Sequence, residues 1–329
     1  MKTLSLIIGC TLIFLAAPAL ALIQPPAPSS ETIHLHFAWP AGLKGSSTYQ
    51  STKRVNSGRG EKRETVSGTT TFTVKAAGEE LIIHQQTPSI TVQGSTPEQT
   101  ATMQKLYDAL GKVKLAFVVG QDGAYRRLDG LEELRSTLLH ELELGFATTL
   151  QGMPVTDRKR VLDTLASALS TEQLETLIVA QWNREVAQWT DADLEPDVWY
   201  TLEFSSRVPM FNNADIPMSA RFRTTGRVPC TAADKKISCV ALEMQSHADP
   251  NAVGKQVADF VDKLAGKSLP ITFENLQLTT TLRLVTDPST LLPYEVIFTE
   301  TSSVTVSADG TSQETRKFEE SVYRYTYDR

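Results

Sequence analysis

Most of the short motifs that mark chemistry are missing from this chain. Beyond residue 21 it has no G-x-S-x-G elbow and no S-x-x-K pair, which sets aside the common serine-hydrolase layouts. It has no P-loop and no dinucleotide glycine fingerprint, so no cofactor is implied. Basic residues are outnumbered, 32 Lys and Arg against 38 Asp and Glu. Nucleic acid is therefore a poor partner, because neutralising phosphates takes clustered cations. Histidine is scarce, five in 329 residues, and no H-E-x-x-H pair occurs; His140-Glu141 has no second histidine after it. Only one long apolar run exists, and it lies at the N-terminus.

That run gives an address. Lys2, the apolar stretch Leu4 to Leu15 and the small residues ending Ala19-Leu20-Ala21 read as a secretory signal peptide cleaved after Ala21, with a run too short for a permanent membrane helix. Cleavage removes Lys2 and Cys10. It leaves 31 basic against 38 acidic residues (31 − 38 = −7), and two cysteines, Cys230 and Cys239. In an oxidising compartment, periplasm or extracellular medium, a close pair of this kind favours a disulfide. Their spacing is much wider than the C-x-x-C of catalytic dithiols, so the bridge reads as a structural staple of a hairpin.

After the signal comes a Pro-rich leader, 22–30. An N-terminal β-rich part, 31–128, carries one helix; a helical insertion spans 129–190; an antiparallel β part with one helix spans 191–329. In the last part Tyr200, Leu202 and Phe204, then Met218, Ala220 and Phe222, then Val240, Leu242 and Met244 fall on even positions. A period of two puts them on one face of each strand, with Thr201, Glu203, Arg221 and Glu243 on the other. In the strand from Ile271 the apolar phase slips from odd (Ile271, Phe273) to even (Leu276, Leu278, Leu282, Leu284). One face stays buried through that slip only with a bulge near Glu274-Asn275. Tyr323, Tyr325 and Tyr327 share a face of the last strand.

The period changes to 3.6 in five other places. Thr96-Pro97-Glu98-Gln99 is a capping box that opens a helix closed by Gly111, and Ser170 with Gln173 opens another. Leu131, Leu134, Leu138 and Leu142, then Val161, Leu162, Leu165 and Leu169, then Leu174, Ile178, Trp182, Val186 and Trp189 mark three one-sided helices. Trp182 and Trp189 read as core. Asp249-Pro250 starts a final helix, closed by Gly266. The fold class is α+β: an antiparallel sheet from both ends of the chain, for which an open half-barrel is one form, with a central helical insertion. An outer-membrane barrel would alternate in the same way, but the long helical block argues against it.

The candidate chemistry is thin. His34 and His36 lie two apart on a strand and face one way, and His84 is the third ligand a zinc site would need. Against this stands a plain polar strand face. Glu132, Glu133, Glu141 and Glu143 read as solvated helix surface, and the cations around Asn56–Gly60 as a solvated hairpin tip.

The run from Leu282 to Phe298, a strand, then Asp287-Pro288-Ser289-Thr290-Leu291-Leu292-Pro293, then a strand, resembles a hairpin of periplasmic lipoprotein-carrier proteins. That resemblance implies an open half-barrel closed by helices, with a greasy concave face for acyl chains. The carriers are shorter and have no counterpart of the helices from Leu131 to Trp189. The texture of the whole chain resembles that of secreted bacterial proteins. Three functions follow as expectations: a non-enzymatic protein binding a lipid, another apolar ligand or an envelope protein; a hydrolase with a dispersed site; or an envelope assembly protein.

Overall fold

The computed structural model describes residues 32–58, 60–94, 96–150, 152–208, 214–233, 237–265, 271–308 and 311–328. The segments expected to be signal peptide and leader, Arg59 and Gly266 lie outside them, as do the side chains of Glu98 and Gln99 in the first capping box. In chain order the elements are β1 (Ile33–His34), β2 (Lys44–Ser57), β3 (Gly60–Ala77), β4 (Glu80–Gln93), α1 (Pro97–Leu110), β5 (Leu115–Gly120) and β6 (Tyr125–Asp129). Then come α2 (Leu131–Leu150), α3 (Val155–Ala168), α4 (Thr171–Glu185), a 3-10 turn (Ala187–Trp189) and β7 (Asp193–Leu194). The remainder is β8 (Tyr200–Val208), β9 (Ala214–Pro229), β10 (Ile237–Ala248), α5 (Pro250–Ala265), β11 (Ile271–Thr286), β12 (Pro293–Ala308) and β13 (Thr311–Tyr327).

Eleven strands form one antiparallel sheet in the order β6-β5-β4-β3-β2-β13-β12-β11-β10-β9-β8. Two meanders, one from each end of the chain, join where β13 pairs with β2, Tyr323 opposite Tyr49. The fold is α+β, and the sheet is open, with β6 and β8 at its edges. No described helix is long and apolar enough to cross a membrane.

The alternation sorts the side chains as the sequence demands. Met218, Ala220, Phe222, Leu242, Met244, Leu282, Leu284, Val296 and Phe298 are buried, all on the inner face of the sheet. The phase slip in β11 is absorbed where expected: pairing with β12 jumps from Glu274↔Thr305 to Gln277↔Ser303, and Asn275 sits at φ 52°. Asparagine tolerates the left-handed region better than most residues, so the bulge has a suitable occupant.

The inner face is covered by the chain itself. Ile33, Leu35, Phe37 and Trp39 are all buried, although only Ile33–His34 pairs as a strand, with β7. Leu35 donates its amide to Ala192 O, and His36 to Pro288 O, so the extended segment is tied to two separate loops. At the far end α5 covers Ile216, Met218, Leu276 and Leu278. Its N-terminus is capped by Asp249, whose carboxylate accepts the Ala252 amide at 2.8 Å.

The third helix of the insertion is shorter than its apolar stripe. It stops at Glu185, and Val186 leaves helical geometry at φ −133°. Seven residues apart on one continuous helix, Trp182 and Trp189 would share a face. Broken at Val186, they serve opposite halves of the sheet. Trp182 packs on Phe37, Trp39 and Phe117, and Trp189 meets Phe222 edge-on at 5.8 Å. Both indoles are satisfied: Trp182 donates to Gly123 O, and Trp189 donates to Arg184 O, a carbonyl at the helix end that also accepts from Gln188 Nε2.

The bulge gives the first prediction. Asn275→Gly is expected to leave the urea midpoint nearly unchanged, whereas Asn275→Val forces a β-branched side chain into the left-handed region and lowers stability by about 1–2 kcal/mol. Equal midpoints for both variants would refute the assigned bulge geometry.

Candidate functional site

The inner face of the sheet changes character along its middle strands. On β13 the phase of Tyr327, Tyr325 and Tyr323 continues inward through Ser321, Glu319 and Lys317; on β12 the phase of Val296 and Phe298 continues through Glu300 and Ser302. Lys317 and Glu300 are both nearly inaccessible, at 8% and 5% exposure. The Lys317 ammonium donates to Glu300 Oε1 at 2.7 Å and sits 2.9 Å from Glu319 Oε2. Ser321 donates to the Ser51 hydroxyl at 3.0 Å, and Ser51 donates to Glu319 at 3.3 Å.

Burial alone would pull the Lys317 ammonium down, but the carboxylates of Glu300 and Glu319 more than reverse this, and its pKa lies above the ordinary lysine value. For Glu300 burial pushes the carboxyl up, and Lys317 recovers only part of the shift. The two directions pull against each other within one pair. At a 2.7 Å contact between nearly inaccessible groups, the ion pair with Lys317 protonated is the state the geometry supports. A lysine held protonated by two carboxylates offers no lone pair to activate the neighbouring serines, which a Ser–Lys hydrolase requires.

The end of α4 lies above this stripe. Glu185 accepts from Tyr325 at 2.6 Å and from Gln181 at 2.9 Å, and Arg184 places its guanidinium 4.6 Å from the centre of the Phe298 ring. Burial pushes the Glu185 carboxyl up and the Arg184 guanidinium down. Tyr49 and Tyr323, stacked with ring centres 6.0 Å apart, are each pushed up to about 12 by burial. Tyr325 and Tyr327 are also raised, burial again coming first.

On its β8 side Arg184 lines a small pocket with Gln188, Leu202, Phe204, Met218, Ala220, Phe222, Met244, Ser246, Thr280 and Phe298; the space open to the centre of a water molecule is about 20 Å³. The lining is apolar but for four residues. Ser246 and Thr280 bond to each other at 2.6 Å, and Gln188 donates to Arg184 O. Gln188 Oε1 is buried and receives no hydrogen bond among the described residues. A buried acceptor left open is uncommon enough to call for a donor, water or ligand, in the pocket.

Of the residues singled out in the sequence, Cys230 and Cys239 are joined by a disulfide at 1.99 Å, with Cα atoms 4.9 Å apart. Such a bridge is at home in an oxidising compartment. The three histidines are not gathered. His34 and His36 are exposed and pair with Asp193 and Asp191, while His84 lies exposed in β4, opposite Ala116 and Thr73. No group of three His, Cys, Asp or Glu residues able to hold a metal occurs among the described residues. Ser170 caps α4 as the sequence indicates, accepting from the Gln173 amide. The helix-surface carboxylates are at least partly exposed, and Glu132 accepts from Thr171.

Sequence reasoning missed the polar interior. The signal was present: carrying the tyrosine phase of β13 down to Lys317, and the Phe298 phase of β12 to Glu300, places both inside.

Lys317→Met would leave Glu300 and Glu319 in the interior without their cation, at a cost of about 3–5 kcal/mol near neutral pH. The loss is expected to shrink in acid, where Glu300 can take up a proton and shed its charge; denaturation of the variant at pH 5 and pH 8 checks it, and equal losses would refute the triad. The tyrosines give a third prediction. Between about pH 10 and 12 the folded chain keeps protons on Tyr49 and Tyr323 that the unfolded chain releases, so their contribution, whole below that range, is lost as pH rises through it. A tyrosinate absorbance titration should show late-ionising tyrosines; ionisation of every tyrosine near 10 would contradict their burial.

No family model matches the chain, and no curated protein matches it. Two solved structures align over most of its length. One is DynF from the dynemicin biosynthesis pathway of Micromonospora chersina, with 8% identity over 94% of this chain and 93% of that chain, at a TM-score of 0.19. The other is the beta domain of the Bordetella autotransporter BrkA, with 11% identity over 86% of this chain and 98% of that chain, at a TM-score of 0.16. Likeness at that level transfers neither fold nor function.

Proposed function

We propose that this chain is an exported, non-enzymatic binding protein that holds an apolar ligand with a hydrogen-bonding end between α4 and the inner face of β8 to β12. The observation that carries the reading is the pocket beside β8. Leu202, Phe204, Met218, Phe222, Met244 and Phe298 supply apolar wall, and Gln188 Oε1 stands at it as an acceptor with no protein donor. Ligand sites combine these two ingredients: mostly apolar lining, and a few polar groups that orient.

A space of about 20 Å³ suits a single water, so a longer ligand enters only when one wall moves. In the single chain the wall with least to hold it is β8, which there pairs with one neighbouring strand among those described. Export through the signal peptide ending at Ala21, and the Cys230–Cys239 bridge, support a periplasmic or extracellular setting. The likeness of the Leu282–Phe298 hairpin to lipoprotein carriers favours an acyl chain among apolar ligands. The protonated Lys317 beside Ser51 and Ser321 weighs against the hydrolase reading.

Native mass spectrometry of the chain exported to a bacterial periplasm, followed by solvent extraction, tests the proposal. A stoichiometric apolar adduct is expected, reduced at least tenfold in an Ala220→Val variant, whose two added methyl groups would take up the pocket. Clean apo masses for both chains, with no uptake of an added long-chain alcohol, would reject the reading.

A further inference from the structure

The two edges of the sheet are managed differently. At one edge β6 has five residues, carries the exposed Arg126 and Arg127, and is tied to α4 through the Tyr125 hydroxyl on Glu175. Those are the usual means of blunting an edge: shortness, charge and a covering helix. At the other edge β8 has nine residues and pairs with β9 alone among the described strands. Its outward residues Thr201, Glu203 and Ser205 are exposed, while Leu202 and Phe204, only half-buried, form the end of the apolar wall. A long edge strand of this kind is a template for another strand.

The sequence of β8 is complementary to itself in one antiparallel register. Turned about Ser205, a second copy puts Leu202 opposite Val208, Glu203 opposite Arg207, Phe204 opposite Ser206, and Ser205 opposite itself. Face parity is kept, so the inner face of one copy continues into that of the other. Turned about Phe204, Glu203 would meet Ser205; turned about Glu203, like charges would oppose. Only the register about Ser205 sets glutamate against arginine on both sides of the axis. Within the chain the backbone of Arg207 lies opposite Asp215 and that of Glu203 opposite Ser219, so the register across four strands would run Asp215, Arg207, Glu203, Ser219.

We infer that β8 is the interface of a two-fold dimer in which the sheets of two copies join edge to edge about Ser205, each copy extending the apolar wall of the other's pocket. The inference goes beyond ligand binding and stands without it. Opposed side chains in such a ladder have Cβ atoms about 4.5–5.5 Å apart, close to disulfide range, whereas residues four positions out of register lie roughly 13 Å apart along the strand.

Cross-linking of the full chain in a Cys10→Ser background tests the register, with sedimentation velocity testing the dimer itself. Ser205→Cys is expected to give a disulfide-linked dimer under mild oxidation. Glu203→Cys alone is expected not to, and an equimolar mixture of the Glu203→Cys and Arg207→Cys chains is expected to link. Glu203→Arg should weaken the dimer about tenfold, and adding Arg207→Glu in the same chain should restore it, with circular dichroism confirming that each variant folds. A monomer at every concentration overturns the proposal, as does a dimer in which Glu203→Cys links to itself as readily as Ser205→Cys. A monomer that takes up a foreign extended peptide on β8 would assign the edge to another protein and equally end the self-pairing.

Discussion

An antiparallel sheet that does not close on itself leaves one apolar face in need of cover, and everything else here answers that need. The strands of the sheet share one buried apolar cluster that includes Phe72, Val74, Ile83, Phe117, Phe222, Leu242, Leu284 and Phe298. Each such side chain contributes about 1.5–3 kcal/mol only if water is kept from it. The cover comes from three separate stretches: the extended segment around Phe37, the end of α4, and α5. The break at Val186 is the economical step, since it lets one short stretch present tryptophans to both halves of the sheet. Val186 itself is buried, so the break is packed in place rather than left as a loose joint.

The cover is apolar where α4 and the first segment press on the sheet, and becomes polar under the far end of α4. There the inner face of β12 and β13 carries Glu300, Lys317 and Glu319. Such groups cost several kcal/mol each to bury, and mutual attraction offsets that only with close geometry. The contacts at 2.7 and 2.9 Å, and the hydroxyls of Ser51 and Ser321 around them, meet that condition. The cluster also ties β2, β13 and β12 together at the seam where the two ends of the chain meet. A hydrophobic patch would tolerate a slip by two residues at this seam; a lysine that must reach two carboxylates does not.

Much of this was legible in the residues. Period two named the strands and their inner faces, the phase slip at Glu274-Asn275 named the bulge, and Ser170 and Asp249 named helix starts. Four features were not legible, each for a physical reason. β4 runs on from Gln85 to Gln93 because Gln104 of α1 bonds Val92 N and Ile90 O and so replaces the strand that β5 no longer supplies there; a side chain standing in for a strand leaves no periodic trace. The pairing of β13 with β2 joins residues some 270 positions apart, beyond any local pattern. The segment Asp191–Asp197 reads as a linker, yet it holds β7, with Asp191 and Asp197 at positive φ turning the chain at either end. Finally, Lys317 and Glu300 are charged, which by itself points to solvent, while their register places them inside.

The polar stripe and the pocket meet at Arg184, and this meeting limits what the site can do. An arginine over Phe298 gives the guanidinium an aromatic face on which to rest while its other surroundings are Glu185, Glu300 and Tyr323. Gln188 beside it presents a buried acceptor, Oε1, that receives no hydrogen bond among the described residues. For the ligand proposed above, that acceptor suits a hydroxyl or amide donor at the polar end, with the apolar body lying along Phe222, Met244 and Phe298.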